Sequence, residues 1–540
     1  MKKWHSMTDT SLPADNVTEA QMVAVEPAVV QETLPAVIAK DPTRKHIRGS
    51  SLLLLGRIIA MGLNFGVQIV TVRYLAKSDY GALAFALSVV SMATSGVLLG
   101  LDKSVARFVP IYQEQRDYNR MVGTVVLAFL AVLALGVVLV AGTFALQNVL
   151  IDRVVSDPLS AFLLLSIIAL APIQALDSLF QGLFAVFVKP RAIFFRRHLL
   201  GPGLKLAVVL LAVLLRGDVQ FIALGYIVGA LLGLGIYVIM LMQVLRKEPW
   251  FGSLKLRDVH MPAGEVFAFA APVLGTDILL MFRVNLVVVL LETLKGTTAV
   301  ADFKAVLPFA GLNLVVYQSF KFLYTPLASR FYQRGNKADI NDLYWQTAAW
   351  ISIISFPVLA LTVSLSGPMT VLALGQQYAQ SAVLLAILSA GEYFNAAFGY
   401  NSYTLQVYGK VAYIMLVGVI TAVLSLALNF FLIQQIGALG AAIGTTANLV
   451  LYNTLNHVGL IRIGVDLFQW RYLKMYLSIV VGILSLLFVQ TVMDPPIYIS
   501  FISVTLVCLA VFTLNRRLLE IERFFPEVKK IPVLGRLMTY

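Results

Sequence analysis

The chain is 540 residues long, 59% hydrophobic and only 13% charged, with a formal net charge of +13. A soluble domain carries about 25% charged residues, and apolar runs of about 20 residues recur here throughout, so the basic excess belongs with membrane topology and not with nucleic acid. A single cysteine, Cys508, excludes an internal disulfide and a cysteine zinc set.

Residues 1–49 mix small residues, acids and prolines without an apolar stripe, as in "VTEAQMVAVEPAVVQETLPAVIAKDP". They lack the apolar core of a signal peptide and are expected to form a disordered cytoplasmic tail. Apolar segments follow near 50–74, 80–101, 121–146, 159–184, 197–215, 219–245, 263–291, 299–325, 343–366, 378–407, 410–433, 437–461, 473–493 and 495–514. They predict an all-α integral membrane protein of about 14 transmembrane helices. An even number places both termini on one side.

Span 1 contains "LLLLGRIIAMGLNFGVQIV". At 100° per residue, Ser50, Arg57, Met61, Asn64, Gln68 and Thr71 fall within about 40° of one line. Gly62 and Gly66 lie opposite and form a G-x-x-x-G pair suited to close helix contact. A polar stripe at membrane depth is tolerated where it lines water or protein. Arg57 therefore faces a cavity, or pairs with a buried carboxylate, or snorkels to the near interface about 10 Å away.

Span 4 carries Gln174, Asp177, Ser178 and Gln181 in "PIQALDSLFQG". Span 7 carries Pro272, Thr276 and Arg283 on one face, with Asp277 about 120° around the helix from Arg283. Span 8 carries Lys304 with Pro308, Gly311 and Gln318, and Lys321 nearer its end. Span 10 carries Glu392, flanked by Asn395, in the aromatic-rich "EYFNAAFGYNSYTLQVY" (392–408), whose tyrosines suit either sugar rings or an interfacial belt. Asp177, Asp277 and Glu392 suit ion coupling or charge balance, because a carboxylate in a low-dielectric cavity readily takes up a proton or cation.

No phosphate-binding loop, nucleophile elbow or paired-carboxylate site is present. His5, His46, His198, His260 and His457 are scattered. Neither catalysis nor a cofactor nor a metal is expected.

The tail from Lys40, the even-numbered turns and the C-terminus hold 29 Lys and Arg, whereas the odd-numbered turns hold five: Arg73, Lys77, Arg153, Arg216 and Lys295. That asymmetry predicts cytoplasmic termini. "KPRAIFFRRH" (189–198) is then read as a cytoplasmic connector whose charges set topology. The halves also echo each other: "FGVQIVTVRYL" (65–75) with "FRVNLVVVLLETL" (282–294), and "ARFVPIYQEQRDYNRM" (106–121) with "SRFYQRGNKADINDL" (329–343), at offsets of 217 and 223 residues. Two six-span repeats and an extra pair fit this spacing, and such repeats place a transporter's site between its halves.

"LNFGVQIVTVRYLAKSDYGALAFALSVV" (63–90) has Arg73 and Leu75 before a Tyr80–Gly81 turn, and "GLDKSVARFVPIY" (100–112) follows the second span. In these motifs the chain resembles Wzx-type polysaccharide flippases of the multidrug/oligosaccharidyl-lipid/polysaccharide exporter superfamily, over about residues 45–515. The resemblance implies two pseudo-symmetric six-helix bundles around a central cavity, here 50–262 and 263–470, with two extra helices at 471–514 and a basic cytoplasmic tail at 515–540. It implies a bacterial inner-membrane flippase for a polyprenyl-pyrophosphate-linked oligosaccharide. The partners are then that glycolipid, membrane lipids, and a polysaccharide polymerase and chain-length proteins, with no nucleic acid. The expected substrate contacts are Arg57, Asn64, Gln68, Arg283 and Lys304. Span 1 has no Asp or Glu, unlike the drug-exporter branch. Two other classes stay open: an ion-coupled exporter of a soluble substrate, with an acid-dominated cavity, and a non-transporting component of a polysaccharide assembly complex.

Overall fold

A backbone in hydrocarbon has no water to bond to, so every peptide group in these apolar runs must find its partner within the chain. The chain meets that demand with helices and with no strand among the described residues. The structure, a computed structural model, describes residues 42–149, 155, 157–187, 191, 194–246, 259–398 and 400–519; the described side chains exclude those of 42–54, 276, 278–280, 282–284, 322 and 323. The chain divides into a unit Met1–Arg48 and a unit Gly49–Tyr540. Most of the expected N-terminal tail, and the basic tail from residue 520, lie outside the described residues.

The first half comprises α1 (Pro42–Tyr74), α2 (Lys77–Leu98), α3 (Leu101–Glu114), α4 (Tyr118–Ala145), α5 (Pro158–Ile167), α6 (Leu170–Val186), a π-helical turn (Phe194–Leu200) running into α7 (Gly201–Leu215), and α8 (Val219–Leu245). The second comprises α9 (Ala263–Lys295), α10 (Thr297–Ala310), α11 (Asn313–Gln333), α12 (Lys337–Ser364), α13 (Ser366–Leu374), α14 (Ala382–Ala397), α15 (Asn401–Val407) and α16 (Val411–Arg462). Helices α17 (Leu473–Phe488) and α18 (Ile497–Leu519) follow and pack on α12.

The repeat read from sequence reappears in the elements. α1 and α9 are each 33 residues long, and α4 and α12 are each 28. Even the caps correspond: Asp117 accepts from Arg120 N at 3.0 Å, and Asn336 accepts from Asp339 N at 3.2 Å. Each supplies an acceptor for an otherwise orphan N–H, a contribution of about 1 kcal/mol.

Ten described helices are long and apolar enough to cross a membrane, or twelve if each of two bent pairs is one span: α5 with α6, bent by 41°, and α10 with α11, bent by 49°. Pro308 removes a backbone donor just before the second bend. The 52 residues of α16 exceed any bilayer at 1.5 Å per residue. Its backbone breaks at Ile436 and Gly437, where Gly437 has φ 59° and ψ −133°, a region that excludes a Cβ. Its two arms are the expected spans 11 and 12. All fourteen expected segments thus fall on helices.

Three local expectations change. Residues 42–49, assigned to the tail, are helical and begin α1. Span 5 starts at Phe194, so half of the expected connector is helix. Gly62 and Gly66 meet nothing within 4 Å, so the G-x-x-x-G pair is not a packing face. The close approach lies instead at Gly81, where a Cβ would fall 2.0 Å from the Thr297 carbonyl oxygen.

One apolar core joins the halves through Val72, Phe85 and Val90 with Val288, Phe303 and Phe309. A second fills the first half around Leu179, Phe184 and Tyr237, and a third ties α12 to α17 and α18 through Phe356, Met475 and Val511. Large apolar residues such as Val137, Leu214 and Leu514 are exposed on the outside, as lipid-facing residues must be.

Candidate functional site

The polar stripe of α1 borders two adjoining cavities. The first lies within the first half, between α1, α6, α7 and α8, and has a volume of about 280 Å³. Asn64, Gln174, Asp177, Arg196, Arg197 and Lys205 are its polar lining. The second, about 270 Å³, lies between the halves and is lined by Gln68, Tyr80, Ser91, Asn285 and Lys304 among others. Leu87 and Tyr226 line both.

In the first cavity Arg196 is held from all sides. Its Nη2 donates to Asp177 Oδ1 at 2.7 Å and its Nε donates to the Gly233 carbonyl at 3.0 Å. Its guanidinium stands 5.1 Å from the Tyr237 ring centroid. Gly233 is required there, because a Cβ would sit 2.2 Å from Arg196 Nη2. Gln181 Nε2 donates to the other Asp177 oxygen at 2.9 Å. An ion pair out of water needs further hydrogen bonds around it, and here the Gly233 carbonyl and the Gln181 amide supply them. Asp177 is therefore the partner of Arg196, and the alternative of an Arg57–Asp177 pair does not hold in this structure.

Arg57 is exposed on α1 beside Gly56, where α1 meets the π-helical turn at Phe194 and His198. Arg57 and Arg197 both lie within electrostatic reach of His198. Asn64 Nδ2 donates to the Ala60 carbonyl at 2.8 Å while its side chain lines the first cavity. Gln68 Nε2 donates to Tyr80 Oη at 2.6 Å and to the Lys304 carbonyl at 3.4 Å, tying α1 and α2 to α10. The Lys304 side chain lines the second cavity, where no acid stands among the lining residues. Arg283 lies outside the described side chains.

The remaining acids are engaged elsewhere. Asp277 pairs with Lys103 at the end of the bundle that carries the α2–α4 connector. Close by, Arg107 stands 4.4 Å from the Phe269 ring and Tyr112 Oη donates to Glu265 at 2.8 Å. Glu392 accepts from Asn395 Nδ2 at 3.3 Å, and an amide chain continues through Asn453 to Asn401. In the aromatic stretch Tyr400 is fully buried, its hydroxyl on the Tyr317 carbonyl, so it presents no face to a sugar. Tyr403 is half-buried with Lys321 Nζ 4.5 Å above its ring.

At the opposite end the halves are latched. Lys77 Nζ pairs with Asp302 at 2.7 Å and donates to the Gln377 carbonyl at 3.3 Å. Arg73 donates to the Leu372 and Ala373 carbonyls, and Ser381 to Asp302. Together with the Gly81–Thr297 approach, these contacts hold the halves against each other at the α1–α2 turn.

Sequence reading missed Arg196, Arg197 and Lys205. Two were counted as connector charges because the start of span 5 was set at residue 197, within the helix. Lys205 left a usable signal: it is one cation inside the apolar run "GLKLAVVLLAVLL", and a charge at membrane depth marks a site by default.

A family model described as polysaccharide biosynthesis protein matches residues 46–329, more than half of the chain, and a MatE model matches residues 272–431. No curated protein matches the sequence. Among solved structures, the lipid II flippase MurJ in an inward closed conformation is similar over 87% of this chain and 99% of its own, with TM-score 0.68 and 14% identity. An inward-facing multidrug resistance MATE family transporter is similar over 75% of this chain and 94% of its own, with TM-score 0.64 and 16% identity. An outward-facing one covers 78% and 96%, with TM-score 0.53 and 16% identity. At such identities the likeness is one of fold: an all-helical transporter architecture in two related halves.

Proposed function

Because the chain belongs to the polysaccharide biosynthesis protein family, within the multidrug/oligosaccharidyl-lipid/polysaccharide exporter superfamily, we propose that it flips a polyprenyl-pyrophosphate-linked oligosaccharide across the bacterial inner membrane. The polysaccharide made from it is displayed or secreted. Such a substrate must carry a negative head and sugars past about 30 Å of hydrocarbon, while its polyprenyl tail stays in lipid. The protein must therefore offer a hydrated, basic interior.

The observation that carries the reading is the sign of that interior. The two adjoining cavities bring together Arg196, Arg197, Lys205 and Lys304 against one acid, Asp177. A basic lining suits a diphosphate and argues against a cation-coupled exporter of soluble substrates, which needs an acid-dominated cavity. On this reading Arg57, Asn64, Gln68, Arg283 and Lys304 contact the substrate, and Asp177, Asp277 and Glu392 balance charge or couple an ion. Residues 50–262 and 263–470 are the two rocking halves. With both termini cytoplasmic, the latch at Lys77 and Asp302 closes the outer side. Partners beyond the glycolipid are a polymerase and chain-length proteins that take up the flipped unit.

Lipid-linked intermediates from a strain lacking this protein provide the test. Glycan-loaded carriers should accumulate on the cytoplasmic leaflet, and one surface or secreted polysaccharide should be lost. Normal polymer output from that strain, with no second exporter present, refutes the reading.

A further inference from the structure

The first-half cavity contains more positive charge than its own structure uses. Arg196 is engaged by Asp177, the Gly233 carbonyl and the Tyr237 ring. Arg197 and Lys205 line the same cavity and make no ion pair with any described residue. Lys205 lies in the middle of the span Phe194–Leu215, so its exposed surface opens on the cavity and not on bulk water. Its ammonium stands 5.9 Å from the Tyr226 ring centroid, a contact that holds the chain without cancelling its charge. An uncompensated cation at membrane depth is expensive and is kept where an anion comes to it.

We propose that this cavity, inside the first half and apart from the cleft between the halves, is the seat of a diphosphate group. Lys205 supplies a compact point charge and Arg197 a planar fork, the two donor geometries that phosphate oxygens accept. The Asp177–Arg196 pair is the fixed wall behind them. Arg57 is not among the residues that line it. The volume of about 280 Å³ falls below the range of about 300–1,000 Å³ for drug-sized ligands, so the cavity suits a diphosphate and not a chain of sugars. The cavity between the halves, about 270 Å³, adjoins it at Leu87 and Tyr226. This assignment rests on the flippase reading for its substrate, but its chemistry is tested separately.

The test uses purified full-length protein in phosphatidylcholine nanodiscs, titrated by calorimetry with inorganic pyrophosphate and, separately, with farnesyl diphosphate. Both should bind. R197Q and K205M should each weaken both by about tenfold, the loss expected for one charge-assisted contact, with melting curves like the parent. K337M, which removes an exposed cation at the start of α12, should change neither affinity. R197K keeps the charge but not the fork and should recover the binding in part, which separates a lost charge from a misfolded helix. Tighter binding of farnesyl diphosphate assigns the seat to a lipid-borne diphosphate; equal binding assigns it to the diphosphate alone. Unchanged pyrophosphate affinity in a folded R197Q/K205M double variant overturns the proposal, as does equal weakening by K337M. If that double variant binds and exports normally while the deletion strain accumulates loaded carriers, the seat fails and the flippase reading stands. If the double variant loses pyrophosphate and the deletion strain exports normally, the seat stands and the flippase reading fails.

Discussion

Arg57 and Arg196 are both arginines within predicted spans or their edges, and their surroundings give them opposite sensitivities. Arg196 is buried and shares hydrogen bonds with Asp177 and the Gly233 carbonyl. R196A therefore leaves a carboxylate in a low-dielectric wall, and breaking such a pair costs about 3–5 kcal/mol. We expect strong depletion of the protein from the membrane, and recovery of its level when R196A is combined with D177N. Arg57 is exposed and forms no ion pair among the described residues. R57A should keep a near-normal level and lose export, and R57K should restore export in part, because a lysine lacks the guanidinium fork. Immunoblots of membrane fractions beside polymer yield measure both. Equal depletion by R57A and R196A would count against a substrate role for Arg57.

Single elements carry the conformational logic. A π-helical turn is rare and is frequently found at functional sites. The one at Phe194–Leu200 puts Arg196 and Arg197 into the first cavity. On the other side of the molecule α2 and α10 approach at Gly81 and Thr297, and the Lys77–Asp302 pair clamps the approach. Neither charge is fully buried, with side-chain exposures of 22% and 19%, so the pair itself contributes about 1 kcal/mol. Its value lies in specificity, since like charges at this point repel the two halves. K77D and D302K should each weaken closure and reduce export severalfold without loss of protein. The double swap K77D/D302K should recover most of the export. Export as poor in the double swap as in either single variant would remove the latch from the mechanism.

At the scale of the whole molecule, the halves are joined at both ends while their polar interiors meet in the middle. In the proposed cycle, rocking of one half on the other exchanges which end is open, with broken helices such as α10–α11 as the bending points. The orientation of that cycle depends on topology. Reporter fusions at Gln147 and Gly296 should read periplasmic and one after Tyr540 cytoplasmic, as the 29 against five distribution of Lys and Arg requires. A periplasmic C-terminus inverts the cycle and removes the assignment of the latch to the outer side.

Composition and periodicity alone determined that this chain is a multi-spanning helical membrane protein. Its fourteen segments, its internal repeat and the polar stripe of α1 were legible, because hydrocarbon imposes one solution on a long apolar run whatever its neighbours. Two boundaries failed where that rule gives no guidance. The α16 arms merge across Gly437 because only backbone dihedrals distinguish a turn from a bent helix, and span 5 begins early because Asp177, nineteen positions away, neutralises Arg196 within the helix. The G-x-x-x-G pair of α1 was legible as a motif and unused as a contact, since its partner surface is a matter of packing. The same holds for the candidate site. Asn64, Gln68 and Lys304 were legible, and line cavities, because a polar side chain in an apolar run stands out on its own helix. Which cation answers which acid was decided only by the tertiary structure, because charge pairing depends on distance through space, and sequence separation carries no information about it.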